Sequence, residues 1–353
     1  MENKKLILVI GGTGAQGSPV VKALSATNRY AVRVLTRDPT SPRAKALAAL
    51  PHVTLHQGSQ DNQRDLHSAF RGVYGAWVNL DGFTLGEKSE LFYGIRAYEI
   101  ARHHGVRHYV WANSDYALRK AGWDERYHWG HNDAKGRIGD LILGHGQQAG
   151  GMVTSLLTTG PYMDMLFDGM FVPEERKGEE GVEFVWENPA ADGKIPLIAL
   201  DDIGAYTLWI FDNPSISAGL DLEVATEQVS FTEIAATFTK VTGIKGFHRR
   251  IPLDEYLPKA EPYPGAYANW TVRPDEQGRD ESFMTWRENF TAWWRYWSEG
   301  RGATRDMAML DRIHPDRIPS LEAWMRLKGY DGRRRAVLKD IEGLRGEDRV
   351  ERG

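Results

Sequence analysis

The sequence predicts a doubly wound α/β fold: a parallel sheet with helices on both faces, and a smaller, mainly helical C-terminal lobe. Three observations predict it. Short apolar runs alternate with helical patterns through the first half of the chain. The first of these runs, Leu6 to Ile10, is apolar at every position, as a strand buried on both faces must be. A glycine-rich turn then leads directly into a helical pattern.

The elements follow in order. After the glycine cluster, Val20, Val21 and Leu24 mark a first helix. Residues 30–35 read as a strand, 41–50 as a helix and 53–55 as a third strand. Residues 61–70 are helical, 75–80 extended, 85–104 a long helix and 108–112 a fifth strand. Strand patterns return at 152–157, 181–186 and 222–224, and 229–241 reads as a helix with Ser230 as its cap. From about 260 to 330 the composition changes, and half of the twelve tryptophans fall there. This gives three regions: a Rossmann-type nucleotide-binding domain at 1–158, an interwoven substrate lobe at 159–330, and a charged tail at 331–353. In that tail Arg333, Arg334 and Arg335 are nearly neutralised by later acids, which suggests a solvated end.

Composition narrows the function classes. The 353 residues carry a net charge of -4 and a pI near 6.3, without the electrostatic footprint of a nucleic-acid binder. There is no cysteine, so disulfides, thiolate metal sites and cysteine nucleophiles are excluded. No apolar run approaches the roughly 18–20 residues of a membrane span. Met1 to Lys5 lead straight into the first strand pattern, so no cleavable signal and a cytoplasmic location are expected.

Gly11, Gly14 and Gly17 lie at G-x-x-G-x-x-G spacing between a strand and a helix. Glycines there let the backbone turn sharply and approach a pyrophosphate, which the helix N-terminus then meets with free amides. At the end of the second strand stand Thr36, Arg37 and Asp38. An arginine in that place suits the 2′-phosphate of NADP(H), while Asp38 could pair with it or contact a ribose.

Gly-Gly-Thr-Gly-Ala-Gln-Gly at 11–17, Thr-Arg-Asp-Pro at 36–39 and His131-Asn-Asp-Ala-Lys135-Gly together resemble the NmrA-like family of atypical short-chain dehydrogenase/reductases, closest to its fungal members. Later stretches at 159–162, 193–196 and 203–204 resemble it too. The resemblance implies a Rossmann domain with a substrate lobe and an NADP(H) cofactor. It implies either reduction of quinones and conjugated carbonyls, or cofactor binding that reports redox state to a protein partner. It also implies positions for the cofactor: Gly11, Thr13, Gly14, Gln16 and Gly17 at the pyrophosphate, Arg37 at the 2′-phosphate, Gln57, Ser59 and Gln60 towards the adenine, and Asn79 and Leu80 beneath it.

Ordinary short-chain dehydrogenases use Ser and Tyr-x-x-x-Lys. Here the counterparts are Ser114, His131 and Lys135, so a histidine stands where the phenol is expected. Histidine is able to act as acid or base near neutral pH. A cap at Asn132 or Asp133 would place His131 outside the helix and separate it from Lys135. Tyr162 sits where it could shape the substrate pocket or donate a proton, with Tyr116 and Tyr127 as alternatives. Direct hydride transfer to a quinone or activated alkene needs orientation and oxyanion stabilisation more than a phenol.

Phe283, Trp286, Phe290, Trp293 and Trp297 recur at three- and four-residue steps and read as the core face of a helix. Tyr263, Tyr267 and Trp270 precede them in a loop and are candidates to line a flat, aromatic substrate pocket. His103 and His104, with His108 nearby, sit at a helix end where histidine meets the last carbonyls; no metal site is assigned. The reading that emerges is an NADPH-dependent reductase of a small aromatic or conjugated carbonyl compound, with specialised metabolism as its setting. The alternative is a non-catalytic NADP(H) sensor.

Overall fold

The opening apolar run forms β1 (Lys5–Ile10), in the interior of a seven-stranded sheet of the computed structural model. The structure describes residues 4–145, 151–179, 181–268, 284–302 and 304–337. Phe283 and Trp270 lie outside the described residues. After β1 come α1 (Gly17–Ser25), β2 (Tyr30–Thr36), α2 (Pro42–Ala48), β3 (Val53–Gln57) and α3 (Gln63–Ala69). Then follow β4 (Gly75–Val78), α4 (Gly82–His103), β5 (His108–Ser114), α5 (Ala117–Lys120), α6 (Gly130–His145) and β6 (Val153–Thr159).

Period-two alternation along β1 feeds two cores. Ile7 and Val9 pack with Val20, Val21 and Leu24 of α1 on one face of the sheet. Leu8 and Ile10 pack with Leu66 of α3, Ala97 and Ile100 of α4, and Ile138 and Ile142 of α6 on the other. Each such fully buried aliphatic side chain contributes about 1.5–3 kcal/mol relative to exposure. The result is a helix–sheet–helix sandwich, the Rossmann-type architecture the sequence predicts.

The rest of the chain weaves a second lobe into the first. It comprises β7 (Glu174–Gly178), β8 (Gly181–Asn188), β9 (Ile195–Leu197), α7 (Leu200–Asp212), α8 (Pro214–Ser217) and β10 (Asp221–Val224). It continues with β11 (Glu227–Val229), α9 (Phe231–Thr242), β12 (Lys245–Arg250) and α10 (Leu253–Ala260), and three helices at Trp286–Ser298, Met307–Ile313 and Leu321–Lys328. The main sheet runs β10-β6-β5-β4-β1-β2-β3, all parallel, so β10 returns to the first lobe's sheet from within residues 159–330. The second lobe carries a three-stranded sheet, β12-β8-β7, beside its helices. Strands β7 and β12, with sequences EERKG and KGFHRR, are too polar to announce themselves as strands. Its core is aromatic: Phe184, Trp186, Phe231, Phe238, Trp293, Trp294, Trp297 and Trp324 are all buried together.

Local details refine the sequence reading. Ser230 caps α9 in a reciprocal capping box with Glu233. Helix α4 begins at Gly82, not 85, because Asp81 caps Phe83 and Gly86 then interrupts the helix at φ +73°. The start of the charged tail is anchored where a solvated end was expected. Gly332 sits against the Phe184 ring, and Val337 packs on both lobes while its N–H donates to Asp168 at 3.2 Å. Among the described residues no helix is long and apolar enough to cross a membrane.

Candidate active site

The sequence-predicted site residues converge on one edge of the main sheet, where the parallel strands end. Sheet order reverses between β1 and β4, and the crevice at such a switch point is where open α/β sheets take their ligands. The glycine turn starts there. Gly11 has φ +81°, and a Cβ on it would fall 2.7 Å from the Asn79 carbonyl; one on Gly17 would fall 2.2 Å from the Gly11 carbonyl. No side chain caps α1; its Ser18 N–H donates to the Gly14 carbonyl (3.0 Å) and Pro19 has no N–H, which leaves the Gly17 amide at the turn beside Thr13 and Gly14. Gln16 is buried and donates to Thr159 Oγ1 at the end of β6 (3.4 Å), tying the turn across the crevice.

Arg37 follows β2 and is exposed; among the described residues no hydrogen bond or ion pair engages its guanidinium. Asp38 is turned away from it. Its carboxylate accepts from the Thr40 N–H (2.8 Å) and hydroxyl (2.6 Å), which hold its pKa below the usual range. Gln57 is paired with Thr36 in register at the end of β3. Just beyond, the Ser59 N–H is fixed on Asp65 (3.0 Å), and Gln60 lies half-buried beside it. Arg43 of α2, which the sequence reading did not single out, reaches the Thr13 carbonyl (3.5 Å) and the Val337 carbonyl (3.2 Å).

The centre of the crevice is ionic. Lys135 Nζ donates to Asn79 Oδ1 (3.0 Å) and to the Leu80 carbonyl (2.8 Å), and Glu90 Oε1 lies 2.9 Å away. Glu90 is fully buried; burial pushes its carboxyl up to about 7, with Lys135 pulling the other way. A methyl on Gly82 would fall 2.4 Å from Glu90 Oε2, so the chain entering α4 closes over this carboxylate.

Helix α6 settles the relation of His131 to Lys135. It starts at Gly130, so both lie on it, one turn apart. Asp133 helps to start it from inside, accepting the Trp129 N–H and the Leu118 N–H at 3.1 Å each. His131 packs in a triangle of rings with Phe83 and Phe290, whose centres lie 4.5 and 5.9 Å from it and 6.4 Å from each other. Asn289 holds the ring at Nδ1. Its Oδ1 accepts the Gly130 N–H (3.0 Å) and lies 3.3 Å from His131 Nδ1, and its amide nitrogen lies 3.1 Å from the same atom. Among the described residues the Nε2 atom has no protein partner. Burial lowers the His131 pKa to about 4, and Lys135 adds to the effect, so the ring is neutral at physiological pH.

Ser114 ends β5 opposite Thr159, half-buried at the same edge. Tyr162 follows β6, bridged to Ile198, and burial raises its pKa, with Asp81 adding to the rise. The other tyrosines are committed elsewhere. Tyr127 is fully buried and donates to Glu299, and Tyr116 packs under Gly136 and Trp123. Tyr263 packs on the aromatic core, and Tyr267 bridges Thr285 at the start of the Trp286–Ser298 helix.

A family model, the NmrA-like family, matches residues 3–274 of this sequence. The chain belongs to the NmrA-like family. Among curated relatives, the NmrA-like family domain-containing oxidoreductase malD of Malbranchea aurantiaca is 27% identical over 279 residues, covering 71% of this chain and 79% of that protein. Among solved structures, the negative transcriptional regulator NmrA in complex with NADP superposes with a TM-score of 0.69 at 19% identity, covering 94% of this chain and 99% of that one. An NADPH-dependent quinone oxidoreductase of Escherichia coli gives 0.65 at 18% identity, covering 92% and 99%.

Within this NmrA-like chain, three residues at the crevice besides Arg43 escaped the sequence reading, and two of the three had a signal. Glu90 falls on the small, buried stripe Gly86, Gly94, Ala97 and Ala101 of α4, where a charged residue is costly without a partner. Asn289 interrupts the aromatic stripe of its helix in the same way, and is fully buried. Phe83 carried no signal, since its role depends on a contact with a residue more than two hundred positions away.

Proposed function

We propose that the chain is an NADPH-dependent reductase of a small aromatic or conjugated carbonyl or quinone, working in the cytoplasm, with specialised metabolism as its setting. Residues 1–158 bind the cofactor and 159–330 supply the substrate side. The observation that carries the reading is the neutral His131, its Nε2 free of any protein partner among the described residues and one helical turn from Lys135.

The residues present fit a dinucleotide. The turn has room only for glycine at Gly11 and Gly17, the uncapped Gly17 amide lies at the pyrophosphate position, and Arg37 waits at the corner for a 2′-phosphate. Thr13, Gly14 and Gln16 complete the pyrophosphate cradle, while Gln57, Ser59 and Gln60 bound the adenine side and Asn79 and Leu80 the floor. When bound, NADPH supplies the hydride. Lys135, held by Asn79, Leu80 and Glu90, sets the local positive charge and meets the nicotinamide ribose together with Ser114. The half-buried Phe83, backed by the buried Phe290, lies where an aromatic substrate would meet His131, and Tyr162 bounds the pocket. In the tautomer whose Nδ1 accepts from the Asn289 amide, the His131 Nε2–H donates to the oxygen that gains negative charge, as a neutral imidazole and not an acid, and solvent supplies the proton.

A second reading, a non-catalytic NADP(H)-binding regulator acting through a protein partner, draws support from the absent tyrosine and from the likeness to NmrA. The two separate on mutation. In a reductase, Lys135→Met and His131→Phe each lower kcat at least tenfold while NADPH still quenches tryptophan fluorescence. Unchanged turnover in both variants would remove the site assignment. A protein without turnover that captures a partner only with one cofactor redox state would establish the regulator.

A further inference from the structure

Away from the crevice, at the opposite end of α4, three histidines meet. His103 closes α4, His104 is its cap, and His67 comes from the last turn of α3. The rings stand close to edge-on to one another, with centres 5.4 Å apart for His67–His103, 5.3 Å for His67–His104 and 5.0 Å for His103–His104. His67 Nδ1 and His104 Nε2 are 3.1 Å apart, and one ring nitrogen of each histidine lies within 4.8 Å of the other two. His108, the neighbour in sequence, takes no part: it is buried in β5 against Ser155 and Phe211.

The ring-centre distances and the His67–His104 separation are those of ligands around one small ion, and a modest turn of the exposed His103 ring brings the third nitrogen in. Three nitrogens each about 2.0–2.1 Å from a tetrahedral zinc lie about 3.3 Å from one another, with their ring centres about 5.2 Å apart. We propose that His67, His103 and His104 form a zinc site, with a water in the fourth position. The donor set is all imidazole. That excludes the hard cations calcium and magnesium, which take oxygen ligands, and fits zinc and its late first-row neighbours. Two helix C-termini, those of α3 and α4, converge on the site and present their negative ends to a cation. The nearby Arg71 repels a cation, so affinity rests on the three nitrogen bonds.

The site is structural in reach. Beyond the interruption at Gly86, helix α4 rises about 20 Å from Glu90 to His103. A metal at its far end touches nothing in the crevice. What it clasps is the end of α3 against the end of α4, the two helices that precede and follow β4 in the chain and share one face of the sheet.

The test uses the full-length, tag-free protein stripped with chelator and titrated with zinc chloride, read by calorimetry and by metal analysis after desalting. One zinc per chain with a micromolar or tighter Kd is expected, together with a rise in Tm. His103 is exposed on a last helical turn, so His103→Ala should fold as the parent does; it and His67→Ala should weaken binding at least a hundredfold. His52→Ala, at an exposed loop position, should leave it unchanged. Cobalt in place of zinc should give the intense visible absorption of a tetrahedral site. Substoichiometric zinc in the parent chain, or an unchanged titration in His103→Ala, would overturn the proposal.

Discussion

At the scale of single residues, the account turns on which groups carry charge at neutral pH. His131 does not, since its pKa is lowered to about 4, whereas Glu90, pushed up to about 7, is poised there. A break in the pH–rate profile near 7 is therefore expected to survive in His131→Asn and to vanish in Glu90→Gln. The same carboxyl sets a slope in stability. The folded protein holds a proton on Glu90 that the unfolded chain releases near pH 4.5, so this contribution is complete below pH 4.5 and is lost as pH rises through 7. Urea unfolding from pH 5 to 8 should show the parent chain losing on the order of 3 kcal/mol more than Glu90→Gln. An equal loss in both would mean the carboxyl does not titrate there. Of these residues Lys135 and His131 were singled out in the sequence by resemblance to the Tyr-x-x-x-Lys motif of short-chain dehydrogenases. Glu90 was readable only as an anomaly, because nothing local says which partner will meet a charge buried on a helix stripe.

At the scale of elements, the parallel strands, the glycine turn and the long α4 were legible, because each has a strong local cause: an all-apolar run, a forced positive φ at Gly11, an apolar periodicity. What was not legible came from tertiary contact. The polar strands β7 and β12 exist because they pair with β8, and the start of α6 at Gly130 depends on Asp133 reaching back to Trp129. The aromatic helix Trp286–Ser298 reads as core from its stripe, and its buried tryptophans agree. Its Asn289 additionally orients His131 from the second lobe. Removing that amide in Asn289→Ala leaves the Gly130 N–H without its acceptor, which should cost about 1–3 kcal/mol in denaturant unfolding. It should also lower kcat while leaving the NADPH Kd within twofold. A loss of cofactor affinity as large as the loss of kcat would instead mean that the helix shapes the whole crevice.

At the scale of the molecule, the lobes are joined by a buried ionic knot. Arg305, from the loop before Met307–Ile313, grips Asp115 at the end of β5 with two hydrogen bonds (3.0 and 2.7 Å), and both side chains are fully enclosed. Glu223 of β10 and Lys120 complete the cluster, and Arg305 and Lys120 hold Asp115 below the usual carboxylate range. Breaking such a pair leaves a buried charge unmatched, so Arg305→Met should cost about 3–5 kcal/mol, and Asp115→Asn added to it should restore part of the loss. A fully additive double variant would mean the two residues act separately.

The claim that joins these scales is that one crevice, with Arg37 at one end and His131 at the other, runs an NADPH-dependent reduction. The most direct measurement is cofactor consumption by the purified protein with a panel of quinones, enones and aromatic ketones, comparing NADPH with NADH in the parent chain and in Arg37→Ala. The account predicts turnover with NADPH preferred at least tenfold in kcat/KM, and that preference lost in Arg37→Ala with NADH turnover unchanged. Equal use of the two cofactors by the parent chain would contradict the role of Arg37. Tight NADPH binding with no consumption across the panel would contradict the reductase itself.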